Sequence, residues 1–185
     1  MTTDYLSLIS KHTAGEHKQT VPAFIIHSAL VTKKALDIAH KYQQAHPKAN
    51  INFRLLEEMG MLHDIGIFRT NEPKLFTKGD DSYITHILHG AAILEEEGLP
   101  THARASLTHT GITRRNIEQN NLPLPLQDYL PETIEEEILC LADTFFSKRF
   151  DSLFDERTPV QAREMVSGFG EEALTVYDTL CEKYL

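Results

Sequence analysis

Phe53-Arg54-Leu55-Leu56-Glu57-Glu58-Met59-Gly60-Met61-Leu62 runs directly into His63-Asp64-Ile65-Gly66. Phe53, Leu55, Leu56, Met59 and Leu62 recur at the spacings that gather apolar side chains on one helix face. Asn50 or Asn52, after Pro47, supplies a start, and Gly66 is the expected stop. The stretch predicts a helix that ends on adjacent imidazole and carboxylate side chains. Where the backbone turns at such an end, the two can converge on one ion. A neutral ring nitrogen beside a hard anionic oxygen suits borderline divalent metals. One His-Asp dipeptide is weak evidence, because chance produces it often, and further ligands have to arrive from other helices.

Outward from that stretch the punctuation stays helical. Thr20-Val21-Pro22 opens a run in which Phe24, Ala29, Leu30, Val31, Ala35 and Ile38 keep helical spacing, and His27 lies on it with Leu30 and Val31 one turn on. Arg69 to Asp81 reads as a loop. Asp80-Asp81-Ser82 then caps a helix through His86 and His89 to Glu97, closed by Gly98. Pro100 opens a shorter helix to about His109, ended by Gly111. Residues 112–131 hold three of the eight prolines and read as an irregular connector. Thr133 with Glu136 forms a capping-box pattern ahead of the stripe Ile134, Ile138, Leu141 and Phe145. Thr158-Pro159-Val160-Gln161 repeats the signature with Gly168 as its stop, and a last helix runs from Glu171 to about Tyr184. Seven helices, no alternating strand pattern and no internal repeat predict an all-α single domain over residues 1–185, with C-terminal helices at about 159–185.

Composition limits the partners. Eighteen Lys and Arg stand against 27 Asp and Glu, a formal net charge of −9, with no basic block. Binding to a long nucleic acid draws on clustered cations that displace counterions, so that class is excluded. A small phosphorylated partner stays compatible, because a bound metal supplies local positive charge. No stretch approaches the ~18 consecutive apolar residues of a membrane span, and the first residues lack the pattern of a secretory signal. Cys140 and Cys181 form no C-x-x-C pair, which predicts reduced thiols in a cytoplasmic protein. Ten histidines exceed the roughly four that ordinary usage of about 2% would give; their positions have to decide what they do.

Those positions resemble the HD-domain phosphohydrolases. The family pattern is a His on an early helix, a His-Asp pair and a distant Asp on a later helix. Here it is met by His27, by His63-Asp64 in the H-D-I-G form, and by Asp143 in Leu139-Cys140-Leu141-Ala142-Asp143. Members with a second metal site add two histidines between pair and final Asp. His89 in Leu88-His89-Gly90-Ala91-Ala92 and His109 in Thr108-His109-Thr110-Gly111 stand in that order. The resemblance covers about residues 24–147. It implies an HD-domain helical bundle holding one or two divalent ions (Fe, Mn, Co, Ni or Mg), with Asp64 at the catalytic centre, bridging both ions where there are two. It also implies hydrolysis of a phosphomonoester, phosphodiester or phosphoanhydride bond in a nucleotide or other small phosphorylated molecule. At the metal positions the chain is similar to HD enzymes that cleave diadenosine tetraphosphate symmetrically. Many relatives carry Lys directly after the last Asp, where Thr144 stands here, with Lys148 and Arg149 further on. Two other readings are compatible with the same ligands: a di-iron oxygenase, and a non-catalytic domain that keeps the metal as a staple.

Around this set, Arg69, Arg114 and Arg115 are the expected phosphate-binding groups, because a guanidinium matches terminal phosphate oxygens. His86 shares a helix face with His89 and is assigned a supporting role. His12, His17, His40, His46 and His102 are read as surface residues, and Glu95–Glu97 and Glu135–Glu137 as solvated helix faces.

Overall fold

The computed structural model describes residues 3–14 and 20–185; His17 lies outside them. Nine α-helices are present among the described residues: α1 (Tyr5–Thr13), α2 (Thr20–Ala45), α3 (Phe53–Leu62), α4 (His86–Glu96), α5 (Pro100–Thr108), α6 (Arg114–Asn120), α7 (Ile134–Asp143), α8 (Pro159–Ser167) and α9 (Glu171–Tyr184). The seven expected helices are all found, and α1 and α6 are additions. α6 lies inside the stretch read as irregular. Its cap is Thr113 with Asn116, each side chain accepting from the other's backbone N–H, and its seven residues are too few to show a periodic face. Among the described residues, strand pairing amounts to the two-residue parallel β1–β2, Thr70–Asn71 against Asp81–Ser82, and an isolated antiparallel bridge between Ile112 and Tyr129. The β1–β2 pairing closes the base of the 70–82 connector.

Capping explains most boundaries. Asn52 accepts from the backbone N–H of Leu55 at the start of α3, and Thr158 and Gln161 cap α8 reciprocally. Gly98 and Gly111, which follow α4 and α5, sit at φ of 73° and 62°, the left-handed conformation that a helix exit favours. Gly66 does something else. α3 has already ended at Leu62, and Gly66 lies inside a 3₁₀ turn, Ile65–Arg69, outside the left-handed region.

Gly66 is required for close approach. A Cβ there would fall 2.1 Å from the carbonyl oxygen of His86 and 2.3 Å from the amide of Gly90. On its other side, a Cβ at Gly90 would meet Ser106 Oγ at 2.2 Å, and that hydroxyl donates to the carbonyl of His63 at 2.6 Å. The 3₁₀ turn, α4 and α5 are thus stacked at backbone distance. Gly60 serves the α2–α3 crossing alike, with Thr32 against its α-carbon.

The apolar core surrounds this stack. Val31, Ala35, Leu56, Met59, Ile138, Leu141, Phe145 and Leu180 join α2, α3, α7 and α9. Leu8, Ile9, Phe24, Leu62, Ile65, Phe68 and Leu94 pack α1 against the 3₁₀ turn and α4. Glu135 and Glu136, expected in solvent, are buried. Glu135 accepts from the amide of Asn52, and Glu136 pairs with Arg104 at 2.9 Å. His102 is also buried and pairs with Glu58 at 3.0 Å, tying α5 to α3. Paired charges of this kind leave no trace in hydrophobic periodicity.

The stack makes Gly66→Ala a severe change. Overpacking against two main-chain atoms should cost at least about 3 kcal/mol, read as a lowered midpoint in urea denaturation. Gly98→Ala, with nothing within 4 Å of the added carbon, should cost only the ~1–2 kcal/mol of a left-handed backbone.

Candidate metal centre

Five helices deliver side chains to one buried point. His27 comes from the middle of α2, His63 caps the C-terminus of α3, and Asp64 follows it. His86 is the first residue of α4, His109 caps the C-terminus of α5, and Asp143 is the last residue of α7. Three of the five helices therefore end here, and the partial negative charge of a helix C-terminus favours a cation.

Asp64 stands at the centre and is fully buried. Its Oδ2 lies 3.4 Å from His27 Nε2 and 3.3 Å from His63 Nε2. Its Oδ1 lies 3.3 Å from His86 Nε2 and 3.3 Å from His109 Nε2. Asp143 Oδ1 completes the first group, 2.9 Å from His27 Nε2 and 3.4 Å from His63 Nε2. The result is two ligand groups, His27–His63–Asp64–Asp143 and Asp64–His86–His109, sharing one carboxylate.

The protonation pattern tests whether these atoms suit a cation. Nδ1 of His63, His86 and His109 lies 2.7–2.8 Å from the carbonyl oxygens of Gly60, Tyr83 and Ser106, each three residues earlier. A carbonyl only accepts, so each Nδ1 carries a hydrogen, and in the neutral ring Nε2 presents a lone pair to the centre. His86 Nε2 and His109 Nε2 then face each other at 3.2 Å with no proton between them. Burial drives the pKa of His27 down to about 3, assisted by the nearby Lys148 ammonium. That of His86 falls to about 4, chiefly through burial, and burial also holds His109 well below the usual imidazole range. These rings are neutral at pH 7. Nε2 of His27 and His63, Oδ1 of Asp64 and Oδ1 of Asp143 are buried without a hydrogen-bond partner, and Oδ2 of Asp64 has only the Lys148 ammonium at 2.8 Å. Lone pairs so crowded repel one another unless a cation lies between them. Two donors each ~2.1 Å from an ion stand about 3.0 Å apart at right angles and about 3.4 Å apart at the tetrahedral angle. The observed separations of 2.9–3.4 Å fall in that range. The residues fit a pair of divalent ions.

The expectations for the second group are corrected at one position. His89 does not reach Asp64; its Nε2 pairs with Asp81 at 2.9 Å on the open side of α4. His86 takes the place. Three residues advance a helix by about 300°, so the two rings diverge by about 60°. The backbone contact of Gly66 with His86 and Gly90 sets which of them faces inward. The H-x-x-H spacing contained both candidates, and only the packing decides between them.

The arginines are also placed elsewhere. Arg114 pairs with Glu118 along α6, and its amide donates to Asp128. Arg115 pairs with Glu172 of α9. Arg69 lines an open cleft of about 450 Å³ with Lys78, Asp81 and His89, a cleft whose lining includes none of the clustered residues. The cation at the centre is Lys148, whose ammonium lies 2.8 Å from Asp64 Oδ2 and 3.7 Å from Asp143 Oδ1. Burial and the neighbouring Arg157 push its pKa down to about 7. Thr144 instead turns its hydroxyl back to the carbonyl of Leu141. Where many relatives carry a lysine directly after the final Asp, this chain has Thr144, and the lysine that reaches the centre stands four residues later, on the connector after α7.

Comparison with known proteins agrees with this geometry. The sequence profile described as "HD domain" matches residues 24–146. The chain belongs to the HD-domain family. Two archaeal proteins named tRNA (cytidine(56)-2'-O)-methyltransferase are similar to this HD protein in part. That of Picrophilus torridus is 37% identical over 51% of this chain and 25% of its own length. That of Thermoplasma volcanium is 33% identical over 77% of this chain and 35% of its own. An uncharacterised protein of Methanocaldococcus jannaschii is 36% identical over 55% of both chains. The HD protein thus spans about a quarter to a little over half of these relatives. Among solved structures, the HD domain of the Listeria monocytogenes phosphodiesterase PgpH superposes with a TM-score of 0.53 at 19% identity, over 97% of this chain and 96% of that one. This likeness bears on the fold. Among the described residues, no helix of this HD protein is long and apolar enough to cross a membrane, and both cysteines are free.

Elemental analysis checks the revised ligand set. His86→Ala and His109→Ala should each lower bound metal by about one equivalent per chain, whereas His89→Ala should leave the content unchanged. Equal losses in His86→Ala and His89→Ala would contradict it.

Proposed function

We propose that this HD protein is a metal-dependent phosphohydrolase acting on a nucleotide or other small phosphorylated molecule. The observation that carries the reading is the division of Asp64, one oxygen facing each histidine group. His27, His63, Asp64 and Asp143 would hold one divalent ion, and Asp64, His86 and His109 the other. Such a pair supplies Lewis acidity for phosphate oxygens and lowers the pKa of a water that attacks phosphorus.

The chain's own groups do the rest. The Nδ1–H bonds to Gly60, Tyr83 and Ser106 lock the imidazoles of His63, His86 and His109 with Nε2 inward, so none of these three rings has to rotate on ligation. Lys148 is placed to donate to a phosphate oxygen beside the first group, the role expected earlier of Arg114, Arg115 or Arg69. Burial of five of the six ligands keeps bulk water from the reacting centre. The histidine-rich set favours Mn, Fe, Co or Ni over Mg alone. A net charge of −9 favours a small substrate over a long polyanion. Two relatives carry names that refer to a cytidine of tRNA, which supports testing nucleotides first, with dinucleoside polyphosphates among them.

Removal of metal should abolish phosphate release from a panel of nucleotides and phosphoesters, and Mn²⁺, Co²⁺ or Fe²⁺ should restore it. Asp64→Asn should be inactive and depleted of metal. Lys148→Ala should keep its metal and lose about 10- to 100-fold in kcat/KM, matching one charged hydrogen bond of about 1.5–3 kcal/mol. Full activity in a metal-free preparation, or turnover that requires dioxygen, would overturn the proposal.

A further inference from the structure

The centre is reached from one side. His27, His63, Asp64, His86 and His109 are at most 2% exposed, while the side chains of Asp143 and Lys148 retain 17% and 14%. A substrate therefore comes in past Asp143 and Lys148, beneath the connector that follows α7.

Two exposed aromatic rings pack together on the connectors before α4 and after α7. Phe150 is two residues beyond Lys148, within the ~7 Å that two residues can span, and is 49% exposed. Phe76 comes from the facing 70–82 connector and is 44% exposed. Their rings meet edge to face, 5.5 Å between centroids at 74°. Leu75 is fixed beside them, its carbonyl accepting from Thr20 Oγ1 at 2.7 Å at the start of α2, the helix that carries His27. Phe76 also holds a left-handed backbone, φ 59° and ψ 22°. That conformation is unfavourable for a bulky residue, and glycine or asparagine would serve the turn better. Strain maintained for the sake of an exposed ring points to a use for the ring.

We propose that Phe76 and Phe150 form an aromatic rim that stacks the nucleobase of the substrate while its phosphate lies at Lys148 and the metal centre. The assignment rests on the phosphohydrolase reading and narrows its substrate class to nucleotides. Stacking tolerates any base, because every base has a π-face, so the rim selects for an aromatic group attached to phosphate and not for one particular base. The edge-to-face geometry leaves a face of one ring free to take the base, and the exposure of both rings leaves room for it.

Calorimetry on the Mn²⁺-loaded protein separates the two parts with hydrolysis-resistant ligands: methylenebisphosphonate, which lacks a ring, and α,β-methylene-ADP, which carries adenosine. Wild-type protein should bind the nucleoside-bearing ligand about tenfold or more tighter. Phe76→Ala/Phe150→Ala should lose that margin and bind methylenebisphosphonate as before. Phe150→Leu, which keeps bulk without a π-face, should lose most of it too. Equal affinity for the two ligands in wild type, or a margin that survives in the double variant, would overturn the rim and leave the phosphohydrolase reading standing. Parallel loss of both ligands in both variants would make the rings scaffold and also overturn it. Failure of both ligands to bind the wild-type protein would sink the two proposals together.

Discussion

A carboxylate that is fully buried, and whose two oxygens find no hydrogen-bond donor other than the ammonium of Lys148, is the constraint around which this molecule is arranged. Removing Asp64 from water costs several kcal/mol unless compensating charge is supplied. The neighbours do not supply it by protonation: backbone carbonyls hold the Nδ1–H of His63, His86 and His109, and burial keeps His27 far below the usual imidazole range. Only positive charge placed between the lone pairs balances the set, and the ammonium of Lys148 reaches one of the two oxygens. The folded scaffold thus carries an electrostatic debt at its centre that divalent cations settle.

The backbone stack explains how such a set is held. Helix ends are the natural places for it, since a terminal residue can point along the axis and also gains from the dipole. Bringing several ends to one point demands that elements approach without side chains between them. Gly60, Gly66 and Gly90 meet that demand, and the Ser106 hydroxyl reaches from α5 to the carbonyl of His63. The small residues therefore serve the site as much as the fold.

Much of this was legible in the sequence. His27, His63, Asp64, His109 and Asp143 are brought together as expected, because a family pattern joins residues that no local rule connects. The seven expected helices were readable from periodicity and caps. What escaped did so for physical reasons. His86 and His89 differ by a rotation of about 60°, which the contact of Gly66 with α4 fixes and which spacing does not encode. Lys148 reaches the centre through an irregular connector, where no period predicts direction, while Arg114 and Arg115 spend their charge on α6 and α9. Glu58 and His102 are buried as a pair, and Glu136 is buried beneath the half-exposed Arg104; one member of a pair read alone looks like surface.

The connector after α7 has one more property. Arg157 donates through its guanidinium to the carbonyls of Thr144 and Phe146, and its amide donates to the carbonyl of Phe145. The two ends of the segment are thereby clasped, in the manner of an Ω-loop, just past the residue that completes the first ligand group. Its interior can lengthen, shorten or change its chemistry without pulling on Asp143. Selection can then exchange what the connector presents to a ligand while the ligand groups beneath stay still.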